Sequence, residues 1–267
     1  MCSSDLCARA GARAAMITRL GRDSFGEMAR QAWSRDGVDT SHVLTDDGAP
    51  TGAAFIFVST KTGDNAIIVE TGAAANLSVA DIRATEPLIA GAKVFVTQFE
   101  QPIAAAVEGL RLARSHGVAT VLNPAPAIPV DPGIFALCDY ATPNETEAAT
   151  LTGTDTSTDA GARAAAAALV KLGARNALIT LGAKGALLHG AAGTHFVPAF
   201  KVPKVVDTTG AGDAFNGGFA VSIAEGRPPV EAVRFGSAVA AISVQRPGTA
   251  PSMPMRSEID AFLRANL

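Results

Sequence analysis

The chain has 267 residues, of which 48% are hydrophobic and 18% charged, and its formal net charge is −3. This composition excludes a disordered segment and predicts a globular domain with a sizeable core. A slightly acidic chain has no general attraction for nucleic acid or an anionic membrane, so we expect neither as a partner. No apolar run approaches the roughly 18 residues of a membrane span, and the first residues lack the pattern of a secretion signal. Cys2, Cys7 and Cys138 are odd in number and lack metal-ligand spacing, which favours reduced thiols in a cytoplasmic protein.

Apolar periodicity predicts strands that alternate with helices along most of the chain. The alternation indicates parallel βαβ units, and hence an α/β fold with a doubly wound, mainly parallel sheet and helices on both faces. Two β-rich runs separated by Thr-Lys-Thr-Gly-Asp predict a hairpin with its loop at 60–64. The predicted strands are 14–18, 51–59, 65–71, 93–98, 118–123, 176–181, 184–189 and 194–197, and the predicted helices are 23–35, 103–115, 160–172, 214–224, 230–244 and one from Arg256.

The most informative segment is 207–218, with the sequence Asp-Thr-Thr-Gly-Ala-Gly-Asp-Ala-Phe-Asn-Gly-Gly. Small residues at Gly210, Ala211 and Gly212 allow backbone N–H groups to converge, and a helix that begins there adds its positive dipole end. Such a turn suits a phosphate. The carboxylate of Asp213 beside this turn would repel a bound anion. Its presence is explained if it accepts a proton from an attacking hydroxyl. The alternative is an ordinary Gly-rich turn whose first-turn Asp213 is favoured by the helix dipole.

The motif Asp-Thr-x-Gly-Ala-Gly-Asp resembles the C-terminal motif of the ribokinase-type (PfkB) carbohydrate kinase family. The resemblance covers about residues 8–267, because further family motifs occur in the same order. It implies ATP-dependent phosphorylation of D-ribose to D-ribose 5-phosphate; the alternatives are another sugar or nucleoside kinase of the family, or a truncated, inert nucleotide-binding relic. The further motifs are Leu-Asn-Pro-Ala-Pro-Ala at 122–127, Thr-Pro-Asn-Glu-Thr-Glu at 142–147, Leu-Ile-Thr-Leu-Gly-Ala-Lys-Gly at 178–185 and Arg-Pro-Gly-Thr-Ala-Pro-Ser at 246–252.

The resemblance also implies roles for the residues that act on the sugar and the phosphates. Asp213 corresponds to the base that deprotonates the sugar hydroxyl, and it also lies against sugar and nucleotide. Gly210, Ala211 and Gly212 correspond to the anion hole for the transferred phosphoryl group. Glu100 follows a predicted strand, where α/β proteins place ligands, and corresponds to a glutamate that contacts ribose.

A second set of positions is implied for ATP and Mg²⁺. Asn144 and Glu147, spaced N-x-x-E, resemble the motif that organises Mg²⁺ and phosphate, with Glu147 acting through water. A helix N-cap with a capping box is the alternative, and both can hold at once. Ser237 departs from the His or Asn that the family places near adenine, and Lys184 equally fits a solvated lysine. The segment along the nucleotide comprises Thr180, Leu181, Gly182, Ala183, Lys184 and Gly185, joined by Gly212, Asp213 and Ser237.

A third set corresponds to the family's activating monovalent cation, normally K⁺. Backbone carbonyls with one carboxylate suit a large, weakly charged ion. The side chains of Ser243 and Arg246 would then be incidental, and Arg246 equally fits an exposed charge. The implied positions are Asp207, Thr209, Ser243, Arg246, Gly248 and Ser252.

The resemblance makes the hairpin at about 51–71 a small lid that covers the sugar and pairs two subunits, so we expect a homodimer; an ordinary surface hairpin is the alternative. The family begins with a sugar-binding Asp, lid strands and a Gly-Gly-Lys-Gly-x-Asn segment, and none of these occurs here. Residues 1–7 form an atypical start, so we expect 8–267 to be an N-terminally truncated kinase domain. Unpaired sheet edges and weakened sugar affinity would follow.

Overall fold

The structure is a computed structural model that describes residues 2–58 and 65–266. Its strands are β1 (Ala15–Gly21), β2 (Asp39–Asp46), β3 (Thr51–Val58), β4 (Asn65–Gly72), β5 (Val94–Thr97), β6 (Ala119–Leu122), β7 (Tyr140–Ala141), β8 (Asn176–Thr180), β9 (Gly185–Gly190) and β10 (Gly193–Pro198). Its helices are α1 (Cys2–Arg9), α2 (Ser24–Asp36), α3 (Val79–Ala84), α4 (Glu86–Ala90), α5 (Ile103–Ser115), α6 (Glu145–Thr152), α7 (Asp159–Lys171), α8 (Ala211–Ala224), α9 (Pro229–Ser243) and α10 (Arg256–Ala265).

The central sheet has six strands in the order β10-β9-β8-β7-β6-β5. Strands β5 to β8 run parallel, whereas β9 and β10 are antiparallel additions at one edge. The short β7 was not anticipated, because a two-residue strand carries no detectable periodicity. The expected mainly parallel α/β sheet is confirmed.

Helices cover both faces of this sheet, because successive side chains of a strand point to opposite sides. On β8, Ala177 and Ile179 belong to the cluster that contains Leu169 of helix α7. Leu178, between them, belongs to the cluster that contains Phe219 of helix α8. Buried on both faces, the strand is a continuous apolar run, as parallel sheets require.

Two smaller sheets stand apart from the central one. Strands β1 and β2 pair in parallel, and β3 and β4 form the expected antiparallel hairpin. The predicted turn at 60–64 lies outside the described residues. Within the described part of the chain, the outer edges of β5 and β1 have no strand partner.

Helix α1 is part of the packed core. Its Leu6 is fully buried in a cluster with Ala214 and Val221 of helix α8 and Ile259 of helix α10. The first helix therefore lies directly against the helix that begins at the Gly-rich turn. Among the described helices, none is long and apolar enough to cross a membrane.

Candidate active site

The candidate site lies at the carboxyl ends of the parallel strands, where open α/β sheets bind their ligands. Glu100 follows β5, Asn123 follows β6, Asn144 follows β7, and Thr180 is the last residue of β8. The parallel arrangement brings these four positions to one edge of the sheet, although they are widely separated in sequence.

The Gly-rich turn has the geometry of an anion cradle. Gly210 has φ +77°, which favours glycine, and helix α8 begins at the next residue. The N–H of Ala211 donates to Thr208 O at 3.1 Å, whereas in the described structure no acceptor takes the N–H of Gly212 or Asp213. A Cβ placed on Gly212 would meet no heavy atom within 4 Å, so the space beside these groups is open. Free N–H groups at a helix start suit an anion.

Asp213 lies in the first turn of helix α8 with an exposed side chain. Its Oδ1 accepts a hydrogen bond from Ser3 Oγ in helix α1 at 2.7 Å. Glu100 is close enough for their charges to interact: partial desolvation raises the pKa of the Glu100 carboxyl, and the negative charge of Asp213 raises it further. The charge of the predicted base therefore acts on the predicted sugar-contacting glutamate.

Asn144 and Glu147 form a capping box at the start of helix α6. Asn144 Oδ1 accepts from Glu147 N, and Glu147 Oε2 accepts from Asn144 N, both at 2.8 Å. The capping alternative is confirmed, and the role towards nucleotide stays a prediction. Desolvation raises the pKa of the Glu147 carboxyl, although the hydrogen bond from Asn144 opposes the shift.

The Thr180–Gly185 segment lies beside that capping box. Thr180 N donates to Pro143 O at 3.0 Å, and Thr180 forms an isolated parallel bridge with Asn144. Lys184 is exposed and its Nζ lies 3.4 Å from Glu145 Oε1. The fold thus brings two of the predicted nucleotide motifs together. Ser237, by contrast, is buried in helix α9 beside Gly236, which packs against helix α8.

Asp207 joins the Gly-rich turn to the 246–252 segment. Its Oδ1 accepts from Thr209 N and its Oδ2 from Gly248 N, each at 2.9 Å, and these hydrogen bonds lower the pKa of the carboxyl. Its side chain thereby links three of the predicted cation positions.

The other predicted cation positions have local partners. Ser243 Oγ donates to Ala240 O at 2.9 Å, and Ser252 Oγ donates to Thr249 O at 2.7 Å. The guanidinium of Arg246 is paired with Glu258, so it is directed to helix α10. The described residues contain no group of three or more His, Cys, Asp or Glu side chains that could hold a metal ion.

Sequence reasoning did not assign a buried polar network beneath the site. Asn216 Nδ2 donates to Gly212 O at 3.0 Å, and its Oδ1 accepts from Thr142 Oγ1 at 2.7 Å. Asn123 Nδ2 donates to Thr142 O at 2.8 Å. A polar residue within the small and apolar run 214–221 was the available signal for Asn216, since a buried amide needs partners.

Comparison with known proteins agrees with this arrangement. A family model described as pfkB family carbohydrate kinase matches residues 1–256. Ribokinase from Haemophilus influenzae is 40% identical over 256 residues, covering 96% of this chain and 83% of the relative. Deoxyribokinase from Salmonella typhi is 35% identical over 261 residues, covering 97% and 84%. The solved structure of Arabidopsis thaliana ribokinase complexed with ribose and ATP has a TM-score of 0.90 and 30% identity, covering 98% of this chain and 85% of that one. The chain belongs to the pfkB family of carbohydrate kinases and is a phosphotransferase.

Proposed function

We propose that this chain transfers the γ-phosphoryl group of ATP to the 5-hydroxyl of D-ribose, giving D-ribose 5-phosphate and ADP. The observation that carries the proposal is the position of Asp213, an exposed carboxylate in the same helical turn as two unpartnered backbone N–H groups. The resemblance to ribokinases and the ribose and ATP held by the Arabidopsis relative support the same substrates.

In the proposed reaction, Asp213 accepts the proton of the 5-hydroxyl as its oxygen attacks the γ-phosphorus. The new O–P bond forms while the bond from the γ-phosphorus to the β,γ-bridging oxygen breaks, and ADP leaves. Of the predicted anion hole at Gly210, Ala211 and Gly212, the N–H of Ala211 already donates to Thr208 O. We therefore propose that the N–H of Gly212, joined by that of Asp213 and the dipole of helix α8, stabilises the charge on the transferred group. Because Ser3 occupies Oδ1, the proton goes to Oδ2, which has no hydrogen-bond donor within the described residues.

Glu100 is proposed to position the sugar. Its carboxylate follows β5, at the edge of the sheet where Asn144 and Thr180 also lie, and the charge of Asp213 contributes to its raised pKa. A carboxylate that accepts hydrogen bonds from sugar hydroxyls would orient the ring and place the 5-hydroxyl near the base.

ATP is proposed to lie along Thr180–Gly185, with its phosphates between Asn144 and the Gly-rich turn. Gly182, at φ +53°, has open space beside its Cβ position, so no side chain obstructs close approach there. A Mg²⁺ ion bound with the phosphates would neutralise their charge. Glu147 fits a contact to it through water, because its Oε2 is already engaged by Asn144 N.

The 207–252 region fits a monovalent cation such as K⁺. The donor set consists of the Asp207 carboxylate and backbone carbonyls of Thr209, Ser243, Arg246, Gly248 and Ser252, which suits a large, weakly charged ion. Val206 N and Asp207 N donate to Val244 O at 2.7 and 3.2 Å, which brings the two halves of this set into contact.

The hairpin is proposed to pair two subunits. Phe55, Phe57 and Ile68 are each more than half exposed, and the register places them on one face of β3 and β4. Apolar side chains grouped on a free sheet face favour association, whereas isolated ones do not. We also propose a cytoplasmic location, which suits the free thiols of Cys7 and Cys138.

The test is a coupled ADP-release assay on the purified chain with D-ribose, 2-deoxy-D-ribose and other pentoses, together with calorimetric titration of ATP. Ribose-dependent ADP release with a product phosphorylated at O5 supports the proposal. Preference for 2-deoxyribose would favour the deoxyribokinase alternative that the Salmonella relative suggests. ATP binding without turnover on any sugar or nucleoside would indicate the inert relic.

A further inference from the structure

Arg9, at the end of helix α1, joins three elements through one guanidinium group. Its Nη1 donates to Ala250 O at 2.8 Å and to Met253 O at 3.0 Å, and its Nη2 donates to Asp36 Oδ2 at 2.8 Å. The side chains of Arg9 and Asp36 are only 16% and 9% exposed. The proposed phosphoryl-transfer steps use neither residue.

The segment that Arg9 holds, 250–253, continues directly from residues that contact the Gly-rich turn. Gly248 N donates to Asp207 Oδ2 at 2.9 Å. A Cβ placed on Gly210 would lie 3.2 Å from Thr249 Cγ2, so the two loops are in close contact. Ser252 ties the segment together, because both its N–H and its hydroxyl donate to Thr249 O.

We propose that Arg9 is a positioning residue for phosphoryl transfer, which acts by holding residues 248–253 against Asp207 and the Gly-rich turn. The effect of Arg9 on phosphoryl transfer rests on the proposed function, whereas its effect on the rigidity of the two loops does not. Without the two carbonyl contacts, Gly248 would no longer be fixed against Asp207. The N–H groups of Gly212 and Asp213 would then lose the rigid support that a preorganised anion site needs.

The guanidinium is needed for this role because its planar set of N–H donors reaches two carbonyls and a carboxylate at once. A lysine carries its charge at one point and cannot reproduce that geometry, so Arg9→Lys is not conservative here. Outer partners that orient the ligands of a metal site typically change affinity or activity by about 10- to 100-fold when mutated, and we take the same order for Arg9. We expect a loss of that order in kcat/KM for ATP, with a smaller change in the KM for ribose.

The test compares backbone amide hydrogen exchange in wild type, Arg9→Lys, Asp36→Asn and the exposed control Arg13→Lys, without nucleotide. We expect Arg9→Lys to speed exchange in peptides covering 207–218 and 246–253, and to leave helix α7 unchanged. Asp36→Asn retains both carbonyl contacts, so it should change those two peptides much less. Arg13→Lys should match wild type.

Unchanged exchange at 207–218 in Arg9→Lys would overturn the proposal. Equal acceleration in Arg9→Lys and Asp36→Asn would do the same, because it would assign the effect to the ion pair between helices α1 and α2. These readouts need no turnover. A wild type that fails to phosphorylate ribose would therefore contradict the proposed function while leaving the structural test intact.

Two measurements then connect Arg9 to ligands. Calorimetric ATP affinity should fall about 10-fold or more in Arg9→Lys. If K⁺ raises the melting temperature of wild type more than Na⁺ does, that difference should shrink in Arg9→Lys and persist in Asp36→Asn. Unaltered ATP affinity in Arg9→Lys would contradict the positioning role.

Discussion

Thr142 Oγ1 donates a 2.7 Å hydrogen bond to Asn216 Oδ1 in the buried interior beneath the Gly-rich turn. The bond joins the segment after β7 to the first turns of helix α8. Through Asn216 Nδ2, it continues to the carbonyl of Gly212. The segment that carries Asn144 and the helix that carries Asp213 are thereby held in one arrangement.

Thr142→Val should destabilise the fold by about 1 to 3 kcal/mol, because it leaves the buried Asn216 carbonyl without its donor while keeping side-chain shape. Urea unfolding measures the change. Thr150→Val, at an exposed position of helix α6, serves as control and should stay within about 0.5 kcal/mol of wild type. Equal stability of Thr142→Val and wild type would show that this hydrogen bond contributes nothing net.

Asp213→Asn should lower kcat by about 10²- to 10⁴-fold, because an amide cannot accept the proton of the sugar hydroxyl. ATP affinity should change much less. Asp159→Asn is the matched control, since Asp159 is also a first-turn carboxylate, in helix α7. If both variants kept their activity, Asp213 would be only a favourable charge at a helix dipole.

Gly212→Ala should preserve the stability of the fold while weakening the use of ATP. The residue is helical and open space surrounds its Cβ position, so alanine should be neutral or stabilise by up to about 1 kcal/mol. The same methyl group would occupy the space proposed for phosphate, and we expect at least a 10-fold rise in the KM for ATP. Gly91→Ala, distant in sequence and at φ −82°, should leave the KM unaltered. An unchanged KM in Gly212→Ala would place the phosphates elsewhere.

Asp5 should make stability fall with rising pH. It is fully buried in helix α1, and its side chain lies in a largely desolvated position. Burial, with repulsion from Asp36, raises the pKa of the carboxyl from 3.8 to about 6, while attraction to Arg9 opposes the shift. Because the folded pKa is raised, this stabilising contribution is full below pH 3.8 and is lost as the pH passes through about 6.

The test is urea unfolding of wild type and Asp5→Asn across this range. The free energy of unfolding of Asp5→Asn, relative to that of wild type, should rise by on the order of 1 to 2 kcal/mol as the pH increases from about 4 to about 7. A difference between wild type and Asp5→Asn that stays constant with pH would show that the Asp5 carboxyl does not titrate differently in the folded state.

Phe57→Lys should weaken the proposed dimerisation without unfolding the chain, because Phe57 is 60% exposed on the hairpin. Two lysines brought together across an apolar contact between two hairpins would repel and carry a desolvation cost. Light scattering over a concentration series measures the change. Phe196→Lys, on the exposed strand β10, is the control and should retain the dimer. A monomeric wild type would contradict pairing through the hairpin.

Elements with strong local patterns could be predicted from the sequence. Helix α5 spans Ile103–Ser115, as its periodicity predicts, and β3 and β4 match the predicted hairpin within about two residues. The capping box at Asn144 and Glu147 was likewise available, because its partners are three residues apart. The contiguous motif around Asp213 led to the kinase family for the same reason.

Relationships between distant residues could not be predicted in this way. Strand β7 is defined by its neighbours β6 and β8, since two residues cannot show a period. The bonds of Arg9 to Ala250 and Met253, and of Asp207 to Gly248, depend on how separate loops pack. Nothing in the local sequence of either partner specifies the other.

The sequence by itself determined the chemistry at the turn: the small residues at 210–212, the carboxylate of Asp213 and the helix that follows. Only the tertiary structure decided what surrounds it, namely the electrostatic coupling with Glu100, the hydrogen bond from Ser3 to Oδ1 and the Thr142–Asn216 bond beneath. The physical reason is the separation in sequence between the residues that interact. Backbone conformation and capping depend on neighbours a few residues away, whereas hydrogen bonds and charges at the site depend on which strand ends the parallel sheet brings together.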